Sequence, residues 1–153
     1  MSLQDLRRLL AAGALAMVLV TGARVFGASP PQVSASGAWI RWLPGGIPAA
    51  GYVTLHNSGD HAVTLVGAST RDYGAVMFHT SRNQDGVEKM LPIGTVRIEP
   101  HSQVNFAPQG LHMMLMQPAR SIEPGDRVVL TLRFADGLSL PVEFEVRKPD
   151  GSR

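Results

Sequence analysis

The chain has 153 residues, a formal net charge of +2 and no cysteine. The missing cysteine excludes disulfides and removes the thiolate that a blue-copper electron-transfer site needs. The basic excess sits in the first 28 residues, which carry Arg7, Arg8 and Arg24 against Asp5; without them the remainder has eleven basic and eleven acidic side chains. A neutral domain offers no electrostatic footprint for nucleic acid.

Taken in chain order, residues 1–28 read as a secretory leader: a short basic stretch at Arg7 and Arg8, an apolar run from Leu9 to Val20, then small and polar residues. The run is too short to cross a bilayer, which takes roughly twenty apolar residues in a helix. Cleavage after Ala23, Gly27 or Ala28 by Sec export is the expectation, with retention as an anchor the alternative. Residues 29–153 then form one domain, long enough to bury a core without staples.

From there on, short apolar-alternating runs recur between Gly, Pro, Asn and Asp, and no segment keeps a helical period. Strands are expected at Ala38 to Trp42, Gly51 to His56, Val63 to Ala68, Val76 to Ser81, Val87 to Leu91, Val96 to Ile98, Gln103 to Phe106, Leu111 to Met116, Arg127 to Phe134 and Leu140 to Val146. This pattern predicts an all-β, antiparallel sandwich or barrel with Greek-key connections. Asn57-Ser58-Gly59-Asp60, Asp85-Gly86 and Ala135-Asp136-Gly137 carry turn chemistry, and Leu43 to Ala50, with two prolines and two glycines, reads as a loop.

The chemistry lies in His79, Met90, His112 and Met114, spaced H-x10-M-x21-H-x-M. Two imidazoles and two thioethers form a soft, uncharged donor set suited to Cu(I). All five methionines beyond the leader, Met77, Met90, Met113, Met114 and Met116, fall between residues 77 and 116. Strand alternation puts Leu111, Met113 and Leu115 on a core face and His112, Met114 and Met116 on the other. Met77 and His79 repeat that spacing in reverse order, and the Asp85-Gly86 hairpin turns Met90 back toward His79.

Rival readings hold for the other residues. Met113 is read as packing. Met77 and Met116 stay open between core, support and substitute thioether. His56, His61 and His101 lie at strand ends and turns, where an exposed polar role is the ordinary one. Trp39 and Trp42 have opposite parity, with core packing the default for each. No nucleophile elbow, phosphate loop or H-E-x-x-H zinc motif is present, so an enzyme is not expected.

On these residues the chain resembles the PCuAC family of periplasmic copper chaperones, which has the same H-x10-M-x21-H-x-M signature. The resemblance spans Ala38 to Val146 and includes Tyr52 to Asn57, Asp85-Gly86-Val87 before Met90, and Gly110 to Met116. It implies a cupredoxin-like β-barrel and one Cu(I) per chain on His79, Met90, His112 and Met114. It further implies a periplasmic protein that passes copper toward the cytochrome c oxidase centres, with oxidase subunit II and Sco-type proteins as partners; a monomer is the separate expectation. A storage or buffering protein with no dedicated acceptor is the alternative. Arg147 to Arg153 lacks the His and Met of the C-terminal extension that some members carry, so a tail-mediated Cu(II) site is not expected.

Overall fold

The computed structural model describes residues 32–150, so the expected leader lies outside the described residues. Ten strands follow in order: β1 (Val33–Arg41), β2 (Ala49–Asn57), β3 (Val63–Ser69), β4 (Tyr73–Gln84), β5 (Val87–Ile93), β6 (Val96–Ile98), β7 (Ser102–Phe106), β8 (Leu111–Pro118), β9 (Arg127–Phe134) and β10 (Ser139–Arg147). They hydrogen-bond in the order β5-β4-β8-β7-β2-β1-β10-β9-β3-β6. Links that skip neighbours, such as β2 to β3 and β8 to β9, give the Greek-key, cupredoxin-like architecture that the alternation and the resemblance predict. Among the described residues no helix is long and apolar enough to cross a membrane.

Pairing is mixed where all-antiparallel was expected. β1 runs parallel to β10, with Trp39 opposite Glu145, and β7 meets β8 in parallel at Phe106 and Leu111. On the edge away from β1, β2 serves two partners, its first half lying against β8 and its second half against β7. That explains why Ala49 and Ala50 are strand and not loop: they pair with Leu115 and Met114.

The sheet curls over one core. Every strand but β5 supplies a buried residue; Ile40, Leu55, Ile98, Met113, Leu130 and Phe144 are among the fully enclosed side chains. Each such side chain contributes about 1.5–3 kcal/mol by leaving water. β5 is an exposed edge strand, held by its hairpin to β4.

Two local devices fix turns, the first beside the site and the second remote from it. Gln84 pairs with Val87 across the two-residue loop Asp85-Gly86, both at positive φ (56° and 82°), and the Gly86 amide donates to Asn83 Oδ1 at 3.0 Å. This is the primed turn whose twist matches a hairpin. At the opposite end of β2, buried Asn57 donates to the His61 and Glu99 carbonyls at 2.8 and 3.1 Å and accepts from the Gly59 amide at 3.0 Å. A buried amide whose hydrogen bonds are met ties the two adjoining turns together.

Candidate metal centre

Alternation on β4 and β8 separates core from site. Phe78 on β4 and Met113 on β8 point inward and are 4% and 0% exposed, so the packing role read for Met113 holds. Their neighbours Met77, His79, His112 and Met114 therefore share the outer face. The register completes the arrangement: His79 stands opposite His112 and Met77 opposite Met114.

The Ser81 amide donates to the Gly110 carbonyl at 3.1 Å, which makes Thr80 and Leu111 a non-hydrogen-bonded pair. Two residues in step, Phe78 and Met113 are the same kind. The His79–His112 and Met77–Met114 pairs are then the wider, hydrogen-bonded kind, with Cα atoms about 5.5 Å apart. The two imidazoles stack with centroids 5.8 Å apart and planes 19° from parallel.

Each ring is prepared differently. His112 is 5% exposed, and its Nδ1–H donates to the Gly110 carbonyl at 3.0 Å. That bond fixes the ring and leaves the Nε2 lone pair available, the second partner that a metal-binding histidine characteristically has. His79 is half-buried, and its Nδ1 is enclosed with no hydrogen-bond partner. Burial lowers its pKa from 6.5, the positive charge His112 can carry lowers it further, and the Met77 backbone opposes both without reaching hydrogen-bond geometry. The site thus favours a neutral imidazole, the form that binds metal.

Met90 enters from β5. It stands opposite Ser81, on the face that carries His79, and is 52% exposed. It lines a cleft of about 240 Å³ together with His112, Ser81, Tyr52, Arg41 and Glu88. Met114 is half-buried beside Ala50 of β2. The structure therefore brings the four motif residues to one open face at the β5 side of the sheet. Among the described residues no three His, Cys, Asp or Glu side chains group to hold a metal; the imidazoles and thioethers share this face with the Glu88 carboxylate.

Of the open positions, Met77 is 44% exposed on this same face and is not core. Met116 is half-buried and opposite Ala75. The remaining histidines lie elsewhere: His56 bonds Ser36 Oγ at 2.9 Å, His101 bonds Asp60 at 2.8 Å, and the His61 carbonyl accepts from Asn57.

Sequence reading missed the aromatic and cationic group bordering the cleft. Tyr52 packs against Trp39 with centroids 4.8 Å apart and the rings tilted by 46°, Arg41 lies 6.0 Å from the Tyr52 ring, and Arg147 lies 5.8 Å from the Trp39 ring. Trp39 belongs to this outer cluster, whereas Trp42 packs against the core and donates to the Ile122 carbonyl at 2.6 Å. The parity of Tyr52 with Ala50 was visible, but the β2–β8 pairing that carries it to the site was not.

Comparison with known proteins places this geometry. The family model described as "Putative lipoprotein LpqE-like" matches residues 33–146. "Putative lipoprotein Lxx21020" of Leifsonia xyli subsp. xyli is 30% identical over 138 residues, 90% of this chain and 82% of the relative. Among solved structures, the apo PCuAC domain of PmoF2 shares the fold at 24% identity, with a TM-score of 0.67 over 82% of this chain and 97% of that one. Apo DR1885 from Deinococcus radiodurans is 31% identical, with a TM-score of 0.61 over 83% and 86% of the two chains, and that protein has also been solved in a Cu(I) form. The chain belongs to the LpqE-like family, and its domain is of the PCuAC type.

Proposed function

We propose that this protein is an exported, non-enzymatic Cu(I) carrier whose ligands are His79, Met90, His112 and Met114. The observation that carries the reading is the β4–β8 register, which sets His79 against His112 with Met114 one step along and Met90 reaching in from the neighbouring edge strand. Thioethers bind Cu(I) without losing a proton, so only the imidazoles tie loading to pH. The copper-bound forms of DR1885 and of the PmoF2 domain support the same cargo here.

An edge position suits a carrier, because an acceptor's ligand can displace an exposed thioether while copper stays coordinated. A thiolate is the stronger soft donor. Transfer therefore runs toward cysteine-containing acceptors such as oxidase subunit II or a Sco-type protein, in the periplasm. The family model and one relative of the chain bear the lipoprotein description, but these 153 residues hold no cysteine to carry a thioether-linked lipid. The leader is the export signal in this reading.

Two measurements test it. Titrating the domain with Cu(I) against a competing chelator should show one ion per chain. Mixing the loaded domain with an apo oxidase subunit II copper domain, or with an apo Sco-type protein, should move copper faster than release into a chelator of equal strength. Transfer no faster than release, for both acceptors, would make buffering the better reading.

A further inference from the structure

Resting on the copper reading, we infer that Met77 is an additional thioether donor that exchanges with Met90, so that Cu(I) stays held when the β5 side of the site opens. The register carries the argument. Met77 faces Met114 directly and lies two residues along β4 from His79 and diagonally across from His112. Met90 faces Ser81, two residues from His79 in the opposite direction, and sits one strand farther from His112 and Met114. Each added strand costs about 4.8 Å. Met77 is thus at least as close to three of the motif donors as Met90 is, and the two approach the imidazole pair from opposite sides.

Burial supports the assignment. Met77 is 44% exposed while its neighbour Phe78 is 4% exposed, so its side chain fills no core space. Methionine's unbranched, flexible side chain lets its sulfur swing toward a metal without moving the backbone.

With Met77 included, the face offers more soft donors than a d10 ion such as Cu(I) coordinates at once, so one thioether is always spare. Met90 is the one that leaves first, since β5 contributes no buried residue and is held only along β4. In the exchange the Cu–Sδ bond to Met90 breaks and one to the Met77 Sδ forms. Copper remains Cu(I), no proton moves, and His79, His112 and Met114 stay bound. The β5 side is then free for an acceptor's ligand.

The test uses Met77→Leu, Met90→Leu and the double variant, each removing sulfur at nearly constant volume from an exposed position. Cu(I) affinity would be read by chelator competition and sulfur at copper by X-ray absorption. Met90→Leu should keep the wild-type sulfur count and lose affinity by less than about tenfold. Met77→Leu should bind nearly as wild type. The double variant should lose one sulfur and fall by on the order of a hundredfold, more than the singles combined. A double variant that matches Met90→Leu, or a sulfur lost already in Met90→Leu, would overturn the role of Met77 while leaving the copper reading intact. A wild-type domain that fails to bind Cu(I) would overturn both.

Discussion

His79 and His112 face each other across β4 and β8 with ring centroids 5.8 Å apart, and a charge on His112 weakens the hold of His79 on a proton. The pairing follows from register and not from any direct bond between the rings. It places two imidazoles at one level of the sheet, with thioethers one step to either side.

The face assignment predicts opposite outcomes for adjacent methionines. Met114→Ala or His112→Ala should weaken Cu(I) retention at least about tenfold and leave the fold intact. Met113→Ala should cost about 2–5 kcal/mol in urea unfolding through the cavity left in the core, while Met113→Leu should change neither stability nor copper binding by much. Loss of copper by Met113→Leu with retention by Met114→Leu would put the outer face one residue out of step.

The depressed pKa of His79 gives the apo domain a defined pH response. The folded form binds this proton less readily than the unfolded chain, whose value is near 6.5. Stability from this group is therefore fully present above about pH 6.5 and is lost as pH falls through the lower folded value. Urea midpoints from pH 8 down to about pH 5 should fall less steeply in His79→Gln than in wild type, and the His79 ring should titrate by NMR below 6.5. A midpoint above 6.5 would contradict the burial that surrounds the ring.

Gly86 tests how far the hairpin places Met90. At φ +82° a side chain is strained, and Gly86→Val should destabilise the turn by roughly 1–2 kcal/mol. Hydrogen exchange should rise in β4 and β5 ahead of the rest of the domain. Amides of β9 and β10, on the far side of the sheet order, should keep their protection.

Asn57 separates stability from copper chemistry. Asn57→Ala leaves the buried Gly59 amide and the carbonyls of His61 and Glu99 without this partner, and should cost about 1–3 kcal/mol. Copper affinity measured well below the unfolding transition should match wild type, because Asn57 lies at the end of β2 that pairs with β7 and not with β8.

Much of the fold was legible because strands announce themselves by alternation and turns by their residues. Val96–Ile98 and Arg127–Phe134 have the bounds expected of them, and Asp85-Gly86 turns as its chemistry requires. The first part of β1 escaped notice because Val33-Ser34-Ala35-Ser36 has little apolar contrast and Gly37, at φ +62°, interrupts the register before Trp39. It is strand only because β2 supplies partners, Val33 lying opposite Asn57 and Ala35 opposite Leu55.

The same division runs through the site. Sequence alone determined the candidate donors, the absence of thiolate, and the shared face of His112 and Met114, because the two-residue period of a strand is local geometry. It also determined that Met90 follows a tight hairpin after His79. Only the tertiary structure decided that His79 meets His112, that Met77 meets Met114, and that Tyr52 and Arg41 border the cleft. Those contacts depend on which strand lies beside which and in what register, and that is settled by burying Phe78, Met113 and Leu115 together on the other side of the sheet.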